Sequence, residues 1–179
     1  MATIEDPQLL AGAANQLATR FAKQDPSSAA QWARSLEQAD ARTRAINEVV
    51  QTWTRQSPEE AQGWIETLSY EDSLSAGPEF VNSLAEQDAT AAADWLDLQV
   101  DSSNYQQLLQ KFAQGATRSD PILALNYGNE LEDKNARSRT VGRALWTLYK
   151  QDKSSARNWI QSNELPERVA RYVDKMLED

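Results

Sequence analysis

An aromatic residue recurs along this chain at a nearly fixed interval: Trp32, Trp64, Trp95, Tyr127 and Trp159 are 32, 31, 32 and 32 residues apart. A period of this size marks a supersecondary unit repeated along the chain, and it constrains the fold more than any composition could. Three residues before each aromatic stands an alanine (Ala29, Ala61, Ala92, Ala124, Ala156), and seven before it stands Asp25, Ser57, Asp88, Asp120 or Asp152. Pro26, Pro58 and Pro121 follow three of those polar residues, and Gln24, Gln56, Gln87 and Gln151 precede four. The unit reads [Q/S]-[D/S]-[P/x]-x-x-A-x-x-[W/Y], five times in phase.

Each feature has a mechanical reason. Asp or Ser accepts a hydrogen bond from the orphan N–H groups of a helix start, and Pro suits the first helical position. In Ser57-Pro58-Glu59-Glu60 the spacing of Ser57 and Glu60 predicts a capping box. Alanine and aromatic at i and i+3 share a helix face, and Leu36, Leu68 and Leu131 extend that stripe. Upstream of each joint a second helix is predicted from apolar columns at i, i+3, i+4 and i+7. These columns read Ala14, Leu17, Ala18, Phe21; Ile46, Val49, Val50, Trp53; Gly77, Phe80, Val81, Leu84; Leu109, Phe112, Ala113, Ala116; and Val141, Ala144, Leu145, Leu148. Gly77-Pro78 is expected to break or delay the third of these helices, because Pro cannot continue a helix from within. About eleven helices and no strand follow from this pattern.

A helical hairpin of this length cannot bury its own apolar face, whereas stacked hairpins can. The expected fold class is therefore all-α: an α-solenoid forming one helical-repeat domain over 1–179, with units near 7–38, 41–69, 72–100, 102–132 and 134–162 and a closing helix at 165–178. Neither end carries a strongly atypical polar cap, so the array reads equally as whole or as an excerpt of a longer one. The six-residue spacing from Pro to the aromatic resembles the tetratricopeptide repeat, although the Gly expected four after the Trp is Leu36 or Leu68 here. The unit is also similar to D-P-x-x-A-x-x-W helical repeats found in many bacterial proteins, mostly uncharacterised. The resemblance implies a tetratricopeptide-like superhelical scaffold for protein interaction, and it carries over no catalytic residue.

Composition narrows function further. Without histidine or cysteine the chain lacks the commonest general base, thiolate nucleophiles, disulfides and the usual transition-metal ligands. Glycines are scattered singly, so no phosphate loop is present, and no calcium-loop spacing occurs. No enzyme activity, metal or cofactor is expected. No run of about 18 apolar residues exists, so no membrane-spanning helix is expected. The formal net charge of −9 opposes nucleic-acid binding.

Charge is nevertheless uneven. Residues 56–110 hold eleven acids and no base, whereas residues 134–175 hold ten bases and four acids. The acidic stretch offers Glu59, Glu60, Glu66, Glu71, Asp72, Asp94 and Asp97 as a surface for a basic partner segment. The plain alternative is a solvated face that keeps the chain soluble. Among the tryptophans, those of the repeating columns, with Trp53, are expected in the core. Trp146 stands apart, because the other units place Thr19, Gln51, Asn82 and Gln114 in its column. With Tyr149 beside it and Arg143 and Lys150 flanking, Trp146 has the composition of an interface hot spot. The competing reading has Trp146 covering a looser core or packing on the closing helix near Arg171 and Tyr172. The functional expectation is a non-enzymatic protein–protein interaction scaffold using its concave or acidic surface. The second reading is a self-assembling structural element of a larger envelope protein, forming weak homo-oligomers.

Overall fold

The structure is a computed structural model that describes residues 7–178, with side-chain burial described for residues 12–173. Among the described residues every regular element is helical: α1 (Pro7–Gln24), α2 (Pro26–Arg34), α3 (Ala39–Gln56), α4 (Pro58–Ile65), α5 (Tyr70–Gln87), α6 (Ala89–Asp97), α7 (Tyr105–Ser119), α8 (Pro121–Asn129), α9 (Lys134–Gln151), α10 (Lys153–Ser162) and α11 (Glu167–Glu178). The chain is all-α.

The repeating Asp or Ser turns out to be a one-residue joint. Asp25, Ser57, Asp88, Asp120 and Asp152 are extended, with φ between −143° and −150° and ψ between 86° and 100°. Each N–H completes the helix behind it, bonding the carbonyl four residues back at 2.6–2.9 Å. Each carbonyl opens the helix ahead, accepting from the alanine of the motif at 3.0–3.1 Å. Four of the five side chains then cap. Asp25 accepts from the Ser28 N–H at 3.0 Å, Asp88 from Ala91 at 2.9 Å, Asp120 from Ile122 and Leu123, and Asp152 from Ser154 and Ser155.

The capping box expected at Ser57 does not form. A box needs the Ser57 N–H, and that group is already committed to the Trp53 carbonyl at 2.8 Å. The Ser57 side chain makes no cap bond, and Glu60 instead accepts from the Trp53 indole at 3.2 Å. The break expected at Pro78 is also absent, because α5 runs through it. One lost ladder bond in an 18-residue helix is outweighed where Ala76, Phe80 and Val81 are fully buried around it.

The chain divides into two compact units, Met1–Ser83 and Leu84–Asp179, with the boundary inside α5. In unit 1, α1 packs on α2 and α3, and α3 in turn packs on α2 and α4. Ala18, Ala22, Ala45, Ile46, Val49 and Val50 form its solvent-free interior. Thr19 bonds Glu48 at 2.9 Å, and Arg42 meets Asp72 at 3.6 Å. Leu17 departs from its column and is 57% exposed, because it faces away from both helices that α1 packs against. In unit 2, α7 packs on α6, α8 and α9, and α9 packs on α8, α10 and α11. Leu108, Leu109, Phe112, Leu125, Val141 and Leu145 fill that core. Gly128 is needed for close approach of α8 to α9, since a Cβ there would stand 2.9 Å from Thr140 Cγ2.

The residue before three of the five joints has a role that spacing alone does not reveal. Gln56 Nε2 donates to the Ala22 carbonyl at 3.4 Å, Ser119 Oγ to the Ala85 carbonyl, and Gln151 Nε2 to the Arg118 carbonyl at 3.4 Å. Each reaches back about one repeat and ties a helix to its predecessor within its own unit.

Candidate functional site

The repeating aromatics are half-buried rather than fully enclosed, with Trp159 nearly so. Their polar edges are used inside the fold. Trp159 Nε1 donates to Asn126 at 2.9 Å, and the Tyr127 hydroxyl donates to Asp97 at 3.0 Å. Burial, the Asp97 hydrogen bond and nearby negative charge push the Tyr127 phenol up to about 12. Tyr105 is raised in the same direction, first by burial and then by the charges of Glu130 and Asp97.

The acidic residues are more occupied than their count suggests. In unit 1, Glu60 holds the Trp53 indole, Glu66 accepts from Gln62 at 3.2 Å, and Asp72 takes both Arg42 and the Ser69 hydroxyl. Glu59 and Glu71 are exposed. In unit 2, Asp97 is spent on Tyr127, while Asp94 is exposed on α6. Among the described residues no cluster of carboxylates could hold a metal ion.

A different feature is built on α9 and α11. Trp146 is 50% exposed, in the column where the other units carry short polar residues. Tyr149, grouped with it from the sequence, is corrected to a core residue at 7% exposure. Its column elsewhere holds Ala22, Thr54, Ala85 and Thr117, all buried, and Thr54 and Thr117 satisfy their hydroxyls on their own helix at 2.7 Å. Those residues are small because the column is interior, not because it faces water. A tyrosine placed there needs cover, and the Trp146 indole supplies it, stacking at 6.0 Å and 21°. Lys150 Nζ sits 4.8 Å from the Trp146 ring centre, and Lys153 Nζ 5.2 Å from that of Tyr149. Aromatics and cations thus lie together where the end of α9 meets the start of α10.

Beside this edge runs a groove of about 550 Å³, lined by Ser138, Arg139, Gly142, Leu145 and Trp146 of α9 and by Arg168, Val169, Tyr172 and Val173 of α11. Ser138 and Gly142 leave the trough between the helices, and Leu145, Val169 and Val173 make an apolar floor. Tyr172 is 73% exposed. Ser138 and Arg168 also line an adjoining polar depression of about 420 Å³ that contains Lys134, Arg137, Glu164 and Glu167. Sequence reasoning found Trp146, Arg143 and Lys150 but missed Arg139, Arg168 and the groove itself. The signal available was the glycine at 142, where the four other units carry Asn15, Asn47, Pro78 and Gln110.

Among the described residues no helix is long and apolar enough to cross a membrane. Comparison of the chain with protein-family models, with curated proteins and with solved structures returned no match.

Proposed function

We propose that the chain is a non-enzymatic protein-interaction module of tetratricopeptide-like character, its hairpins stacked as a solenoid, with its principal contact surface on α9 and α11. The observation that carries this reading is Trp146, a large ring half exposed beside an apolar groove and ringed by cations. A ring so placed contributes little to its own fold and much to a partner that covers it. Of the unit-1 carboxylates that composition favours as the binding surface, Glu60, Glu66 and Asp72 bond within the unit while Glu59 and Glu71 stand exposed. An exposed ring and an apolar groove meet on α9 and α11, and this shifts the weight there.

The test is partner capture from the source cell by the immobilised chain, run in parallel with Trp146→Ala. Partners retained by the parent chain and lost from the variant support the reading. Partners retained equally by both overturn the assignment to this surface. Self-assembly is the second reading, favoured by the segregation of an acid-only stretch at 56–110 from a basic stretch at 134–175. Light scattering over a salt series tests it, with salt-sensitive, concentration-dependent growth as the expected outcome.

A further inference from the structure

We propose that the groove between α9 and α11 takes an acidic peptide segment, anchored by an apolar side chain between Trp146 and Tyr172. This rests on the reading of the chain as an interaction module and reverses the sign of partner that the acid-rich composition suggests. The first observation is local charge. Arg139 and Arg168 line the groove and Arg143 and Lys150 flank Trp146, and among the described residues none of these four meets a carboxylate. Arg168 is held by a neutral partner, donating to Asn135 Oδ1 at 3.1 Å. The carboxylates nearby are Glu167, paired with Arg171 at 3.8 Å, Glu164 in the adjoining depression, and Glu86, which shares a further depression with Arg143 and Arg118. In a chain of net charge −9, four cations around one ring without an ion-pair partner among the described residues are a local excess of positive charge.

The second observation is the floor. Leu145, Val169 and Val173 are buried beneath an open trough whose walls are two exposed aromatics. Such a trough favours an apolar anchor, and the cations around it favour flanking carboxylates. A peptide of mixed acidic and apolar residues offers both. A long polyanion satisfies only the cations and leaves the apolar trough unfilled.

The experiment is fluorescence anisotropy on the full chain with two labelled pools of short degenerate peptides. One pool mixes Asp and Glu with Leu, Phe and Ser, and the other substitutes Lys and Arg for the acids. Binding of the acidic pool, weakened by added salt and reduced at least about fivefold by Trp146→Ala and by Arg139→Glu, is the expected result. Unchanged melting of both variants shows that the loss is at the surface. Preference for the basic pool, or no binding of either, overturns the acidic-ligand assignment. The module reading then stands or falls separately on partner capture. Displacement of the acidic pool by a much tighter single-stranded oligonucleotide overturns the proposal in favour of nucleic acid. Self-association abolished by Trp146→Ala overturns it in favour of a second copy.

Discussion

Two aromatic pairs, one in each unit, make contrasting use of similar geometry. In unit 1, Trp53 and Trp64 lie 5.7 Å apart across the Ser57 joint, and in unit 2, Trp146 and Tyr149 lie 6.0 Å apart on a single helix. Trp53 is 8% exposed and its indole N–H is bonded to Glu60, so ring and polar edge are both satisfied internally. Trp146 keeps half its surface in water and has a lysine rather than an acceptor beside it. Both members of the first pair occupy repeating apolar columns. In the second, only Tyr149 sits in a buried column, and it is oversized for it. Where a ring falls relative to the repeat therefore decides whether it seals the fold or faces solvent.

That contrast is broken most directly at Trp53. Trp53→Ala removes a buried ring and leaves Trp64 and Glu60 without their partner, and it should cost roughly 3–5 kcal/mol in denaturant unfolding. An unchanged midpoint would remove the distinction between the pairs. Tyr149→Ala should cost less, about 1–3 kcal/mol, because alanine is what Ala22 and Ala85 already place in that column. The site can partly collapse as the indole settles. Asp120→Ala should cost about 1 kcal/mol, since two N–H groups of α8 lose their acceptor. Thermal melting of unit-2 variants ranks these effects, and Asp120→Ala exceeding Tyr149→Ala would show that the second pair is less interior than its burial indicates.

Most of the architecture was legible because a period acts on many residues at once. Alanine, aromatic and joint recur in phase, so helix positions and nearly all core columns could be read without knowing any contact. What could not be read involves competition for one group or the depth of one column. The Ser57 N–H was claimed by α3 before a capping box could use it, and no pattern in Ser57-Pro58-Glu59-Glu60 reveals that prior claim. Small residues occur both where a column is crowded and where it is wet. Thr54 and Thr117 therefore do not by themselves reveal that the column of Tyr149 is buried. Arg139 and Arg168 lie on different helices, and only the fold brings them to one groove.

The smallest expected effect on stability is the most informative about function. Trp146→Ala removes the largest exposed ring of α9, yet half of that ring already contacts water and its column elsewhere tolerates Thr19, Gln51, Asn82 and Gln114. The loss is the stack on Tyr149 and one cation–π contact with Lys150, each worth on the order of 0.5–1 kcal/mol. Alanine returns part of this through higher helix propensity, up to about 0.7 kcal/mol. The net change should therefore stay within about 1 kcal/mol, well below that of Trp53→Ala. A collisional quencher checks the premise independently: the tryptophan emission it removes from the parent chain should fall in Trp146→Ala and not in Trp53→Ala. A Trp146→Ala penalty equal to that of Trp53→Ala would make the indole a structural lid for Tyr149 alone, and its exposure would then carry no sign of a partner.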